Sequence, residues 1–194
     1  MRWVTLANPA KATTPGPMRG VVLIGYRASG KTTAGRRCAE RLEWPFIDLD
    51  IMWEQRYGLP IADYFTSVGE GAFRDRETTI LGEALATPGP WVIATGGGVV
   101  LRAENHAALA AWGGPVIYLH APAEVLSRRL ARHPGGRPSL TGASIASEVT
   151  HMLAAREPLY RACANSVVDA SQGVSALVDA VIAIVENPEH KSSQ

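Results

Sequence analysis

Lysine is scarce in this 194-residue chain: Lys11, Lys31 and Lys191 stand among 19 lysines and arginines. The first and last lie in polar stretches near the termini, so Lys31 is the one lysine inside the expected fold. Cysteine is scarcer still, with Cys38 and Cys163 both in helix-like stretches. Two thiols so placed argue against a disulfide framework and offer no metal-ligand spacing. Both read as inert groups on packing faces. No apolar run reaches the length needed to cross a bilayer. The opening "MRWVTLANPAKATTPGP" lacks the continuous apolar stretch of a secretory signal. It is expected as a flexible extension over 1–17, with Met18 as a plausible functional start. A net charge of +1 calls for neither nucleic acid nor an acidic membrane surface. There is no internal repeat, and a cytoplasmic protein is the expectation.

What is present suits one domain, expected over 18–187 ahead of a polar tail at 188–194. Short runs rich in Val and Ile fall at 21–25, 46–50, 91–95, 115–120 and 166–170. They show little polar alternation until their ends, which is how buried parallel strands read. Helical patterns separate them at 31–42, 51–57, 61–65, 69–86, 102–112, 123–132, 145–164 and 174–185. Pro122 suits a first helical turn, and Ser144 can cap the helix that follows it. Strands alternating with helices predict an α/β fold, a three-layer α/β/α sandwich around a five-stranded parallel sheet. The stretch "ARHPGGRPSLTG" (131–142) breaks the pattern, and reads either as a solvated loop or as a flap that closes on a ligand.

"GYRASGKT" (25–32) matches G-x-x-x-x-G-K-[ST], between a buried strand and a helix as that motif requires. Its glycines let the backbone curl so that amide N–H groups face phosphate oxygens, and the helix N-terminus adds partial positive charge. Lys31 is expected to reach the outer phosphates, and the Thr32 hydroxyl to ligate Mg²⁺. The loop therefore predicts a P-loop fold that holds the phosphate tail of a nucleoside triphosphate. Nucleotide contacts are expected from Gly25, Ala28, Ser29, Gly30, Lys31, Thr32 and Thr33. The motif alone does not separate a kinase from a GTPase, a motor or a switch.

Four later stretches discriminate. "FIDLD" is expected to place Asp48 and Asp50 on one side at the carboxyl end of the second strand, where open parallel sheets bind ligands. One could hold Mg²⁺ through water and the other meet a substrate hydroxyl, or Asp50 could merely cap the next helix. In "FRDRE", Arg74 and Glu77 share a helix face, as a surface ion pair would. "TGGG" removes the side chains of Gly96, Gly97 and Gly98, which suits close approach of a ligand or a plain turn. In "REPLYR", the proline after Glu157 could fix the direction of Arg156 or mark a helix break.

In order and spacing these stretches, with "GRPSL", resemble the shikimate kinase family, over about 18–187. The resemblance implies a P-loop fold of the nucleoside monophosphate kinase type, and transfer of the γ-phosphate of MgATP to the 3-hydroxyl of shikimate, a step towards aromatic amino acids through chorismate. It implies that Asp50 binds the ring hydroxyls, and that Asp48 sits near Mg²⁺, through water. Arg74 and Arg156 would clamp the substrate carboxylate, with Glu77 holding Arg74 in place. Gly96, Gly97 and Gly98 would line the substrate pocket, beside a substrate-binding segment at about 50–82. Arg137 on the flap would reach over the phosphates, making Asp50, Lys31 and Arg137 the catalytic set. Guanidinium forks match a planar carboxylate bidentately, which a lysine cannot do. Two departures stand out. Arg27 adds a positive charge within the P-loop and is expected to face solvent. The loop "ASQGV" lacks an arginine found in some relatives, so Arg129 is expected to cover one adenine face by cation–π stacking. The partners implied are shikimate and ATP, acting on a monomer. A gluconate kinase on the same scaffold, or a silent nucleotide-binding module, are the alternatives.

Overall fold

Gly-Val-Val-Leu-Ile forms β1 (Gly20–Ile24), and all five residues are buried. Aliphatic and β-branched side chains without polar alternation suit a strand covered on both faces. The computed structural model describes residues 20–132 and 144–187. In it β1 lies at the centre of a sheet of order β2-β3-β1-β4-β5. The other strands are β2 (Phe46–Asp48), β3 (Trp91–Ala94), β4 (Val116–His120) and β5 (Ser166–Asp169). Every pairing is parallel, and Leu23 sits between Ala94 on one side and Ile117 on the other. The edge strands differ from the centre: β2 is half-buried, and β5 alternates buried with exposed.

The order dictates where the helices go. From β1 the chain crosses β3 to reach β2, and from β3 it crosses β1 to reach β4. Right-handed crossovers in opposite directions place their helices on opposite faces. Thus α1 (Lys31–Leu42) packs with the last helix α8 (Val174–Glu186) on one face. The other face carries α4 (Glu70–Ala86), α5 (Ala103–Trp112), α6 (Ala123–Ala131) and α7 (Ile145–Cys163). The two short helices α2 (Leu49–Tyr57) and α3 (Ile61–Val68) lean on α4. The reversal at β1 and β3 is a topological switch point, and it opens a crevice at the carboxyl ends of these two strands.

Several expectations shift in detail. β2 stops at Asp48, because the Asp48 carboxylate accepts from the amides of Asp50 and Ile51 and so starts α2. Asp50 therefore lies in a helical first turn, and the strand alternation expected to align the two carboxylates does not apply. Ser144 does cap α7, accepting from the Ser147 amide at 3.3 Å. Pro158 does not break α7, which runs on to Cys163. A proline costs a helix one hydrogen bond, and here fully buried Tyr160 anchors the turn beyond it. A short 3₁₀ turn at Val99–Leu101 was not anticipated. The expected extension at 1–17, the tail at 188–194, most of the flap at 131–142, and Arg137 lie outside the described residues. No helix among the described residues is long and apolar enough to cross a membrane.

Candidate functional site

The loop after β1 is tightly built. A Cβ on Gly25 would stand 2.8 Å from the Leu119 carbonyl oxygen, so only glycine lets the loop lie against β4. Ala28 adopts φ 60°, a left-handed conformation that a Cβ disfavours. Ser29 is fully buried beneath the loop. Gly30, at φ 101°, starts α1 with no side-chain cap. The first-turn N–H groups of such a helix suit an anion. Lys31 is also buried, and its ammonium donates to the carbonyls of Gly25 (2.8 Å) and Tyr26 (2.9 Å). Thr32 Oγ1 donates to Asp48 Oδ2 at 2.7 Å. Thr33 is exposed on α1. A cavity of about 370 Å³ opens here, and Lys31, Thr32, Asp48 and Asp50 share its lining. The two carboxylates thus reach one pocket, one from a strand end and one from a helix start.

The glycine turn after β3 lies beside this loop because β1 and β3 are sheet neighbours. Buried Thr95 fastens it, with amide and hydroxyl both donating to the Leu23 carbonyl. A Cβ on Gly96 would meet Glu77 Oε1 at 2.7 Å and Asp50 Oδ1 at 2.9 Å. One on Gly98 would fall 2.1 Å from Arg74 Nη1. On the other side, a Cβ on Gly97 would sit 3.3 Å from the Arg27 amide nitrogen. The absence of three side chains brings one backbone turn against a carboxylate, a guanidinium and the P-loop at once.

Arg74 and Arg156 approach this turn from different helices. Arg74, on α4, donates from Nη1 to Glu77 at 2.7 Å and from Nε and Nη2 to Glu70 at 3.2 and 3.0 Å. Its guanidinium lies over the Phe73 and Phe65 rings. Burial works against the charge, but Glu77 and Glu70 outweigh it and hold the Arg74 pKa above its ordinary value. An aromatic cluster of Trp53, Tyr57, Tyr64 and Phe73 locks α2, α3 and α4 together beneath it. Arg156, buried on α7, donates to the Gly97 carbonyl at 3.3 Å and lies over the Tyr26 ring.

Arg129, on α6, bridges two loops, donating to the carbonyls of Ala28 (3.3 Å) and Ala170 (2.7 Å). It also lines the cavity. Arg27 does not face solvent as expected. It stands 3.9 Å from the buried carboxylate of Glu148 on α7 and lines the cavity with Lys31. The packing of α7 against the P-loop supplies that partner, which the local sequence does not reveal. Glu70, Thr95 and Tyr160 were also missed as site residues. Glu70 was legible in principle, standing one helical turn before Arg74. Cys38 is fully buried, and burial pushes its thiol pKa up to about 11, as suits an inert packing group.

Comparison with known proteins is consistent with this geometry. The family model described as shikimate kinase matches residues 27–186. A shikimate kinase of Nitratidesulfovibrio vulgaris is 46% identical over 167 residues, spanning 85% of this chain and 94% of that protein. One of Oleidesulfovibrio alaskensis is 47% identical over 170 residues, spanning 87% and 98%. Among solved structures, the shikimate kinase of Acinetobacter baumannii in complex with shikimate superposes with a TM-score of 0.82 at 33% identity, covering 89% of this chain and 95% of that one. The chain belongs to the shikimate kinase family.

Proposed function

We propose that this chain transfers the γ-phosphate of ATP to the 3-hydroxyl of shikimate, giving shikimate 3-phosphate and ADP. One observation carries the reading. The turn at Gly96, Gly97 and Gly98 touches the P-loop on one side and the Asp50, Glu77 and Arg74 side chains on the other. A phosphate cradle and a cluster for a hydroxylated acid thus flank a single strip of backbone, the proximity that in-line transfer requires.

In this reading the P-loop amides and Lys31 bind the triphosphate. Arg74 and Arg156 take the substrate carboxylate, with the Glu77 pair setting the orientation of Arg74. Asp50 receives the 3-hydroxyl. The oxygen forms a bond to the γ-phosphorus, the bond from that phosphorus to the β,γ-bridging oxygen breaks, ADP departs, and the proton passes to Asp50. Arg129 flanks the adenine. The donor set fits Mg²⁺: the Thr32 hydroxyl and Asp48 carboxylate are hard oxygens already in contact. Thr32 and Asp48 would hold the ion, which would neutralise charge on the phosphates. The reaction needs only two small molecules, so a cytoplasmic monomer suffices.

The test is an ADP-release assay with shikimate and gluconate in parallel, using Asp50→Ala as control. Shikimate-dependent ADP release, lost at least a hundredfold in the variant while ATP affinity holds, is expected. Preference for gluconate would transfer the reading to another acid. ATP binding with no phosphorylated acid would make the chain a nucleotide-binding module.

A further inference from the structure

The Gly97 carbonyl accepts two hydrogen bonds, and both donors come from one face of α7. Arg156 Nη1 reaches it at 3.3 Å, and the Tyr160 hydroxyl, one helical turn further on, at 2.5 Å. Residues four apart on a helix stack over each other, and a carbonyl oxygen has two lone pairs to offer. Tyr160 is fully buried, and its ring stacks on Tyr118 of β4 at a centroid distance of 5.0 Å and 17°. The stack fixes the ring, and the ring fixes the hydroxyl. Burial, the largest cause, raises the phenol pKa above its ordinary value against the lowering effect of the Arg156 charge.

Glycine at 96, 97 and 98 is needed for close approach, yet it leaves that turn with no side chains to hold it. The Gly96 and Gly98 carbonyls accept from the Val99 and Leu101 amides, while the Gly97 carbonyl is gripped by the two side chains of α7. We infer that Tyr160 is a positioning residue for the acid-binding half of the site: it anchors the Gly97 carbonyl, and so sets the direction of the Gly98 amide and of Arg156. The inference rests on the reading above, in which this turn and Arg156 meet the substrate. Tyr160 touches neither substrate nor nucleotide in this account. Its removal must therefore weaken acid binding and spare the ATP side, which is held by the P-loop and α1.

The test compares Tyr160→Phe with Tyr118→Phe and Arg156→Lys by steady-state kinetics and thermal unfolding. Tyr160→Phe keeps the ring and its stack and deletes one oxygen. Its KM for shikimate should rise about tenfold, the scale of one buried hydrogen bond, while kcat and the KM for ATP stay within about twofold. Tyr118→Phe removes a buried hydroxyl that has no hydrogen-bond partner among the described residues, and it should leave all three parameters unchanged. Equal KM for shikimate in Tyr160→Phe and the parent overturns the inference. So does a parallel loss on the ATP side, or an insoluble variant, since either assigns the hydroxyl to the fold at large. The underlying reading fails separately: if Arg156→Lys leaves shikimate kinetics intact, the turn and its arginine do not bind the acid.

Discussion

Thr32 Oγ1 and Asp48 Oδ2 are hydrogen-bonded at 2.7 Å, across 16 positions of sequence. The same carboxylate caps α2 through its other oxygen, which accepts from the Asp50 and Ile51 amides. Asp48 thus serves the cavity and starts the helix that carries Asp50. The two roles separate by substitution. Asp48→Asn keeps an acceptor for the cap but loses the charge. It should raise the Mg²⁺ concentration for half-maximal rate by about tenfold with little change in thermal midpoint. Asp48→Ala should lose both, with a further stability loss of about 1 kcal/mol. Activity against Mg²⁺ concentration, beside thermal denaturation, checks the pair.

Ala28 is held at φ 60° within the P-loop. A Cβ in left-handed backbone costs about 1–2 kcal/mol, and glycine avoids this while adding up to about 1 kcal/mol of chain entropy in the unfolded state. Ala28→Gly should therefore be stabilising by up to about 1 kcal/mol. Urea denaturation of the two proteins reads this directly, and a lower midpoint in the variant would show that the loop is not strained.

Gly98 has the Arg74 guanidinium where its Cβ would go. Because Arg74 is gripped by Glu77 and Glu70, it cannot retreat freely. Gly98→Ala should displace it and lower kcat/KM for shikimate about a hundredfold, as small misplacements at a reacting centre do. ATP affinity, measured by equilibrium binding, should hold.

Alkaline pH should weaken the fold. Burial pushes the Cys38 thiol from 9.0 to about 11 and the Tyr118 phenol from 10.0 to about 12. Tyr26 is also raised, chiefly by burial. Between pH 9 and 11 the unfolded chain loses the Cys38 proton and the folded chain keeps it. Folded protein then binds more protons, so stability present below pH 9 declines as pH rises through that window. Urea midpoints at pH 8, 10 and 11 should fall in sequence, and more gently in Cys38→Ala. Identical slopes in the two proteins would remove Cys38 from the account.

How far the sequence could be read follows from the range of each interaction. The P-loop was legible because its geometry is local: two glycines, a lysine and a threonine at fixed spacing between a strand and a helix. The strands were legible because burial on both faces leaves nearly unbroken aliphatic runs. The Arg74–Glu77 pair was legible because helix periodicity alone brings it together. The path of Asp50 was not, because a capping bond from Asp48 ended the strand two residues before the expected alternation. Arg27 was misread for a related reason: its partner, Glu148, lies 121 positions further on, and nothing in either neighbourhood signals the other.

By itself, then, the sequence determined the elements, the phosphate loop and the residue types fit for a hydroxylated acid, since each is set by local backbone preference and side-chain chemistry. Only the tertiary structure decided that the loop after β1 and the turn after β3 lie side by side, and that Arg156 and Tyr160 share one carbonyl. Those meetings depend on strand order and helix packing, which bring together groups that no short-range pattern links.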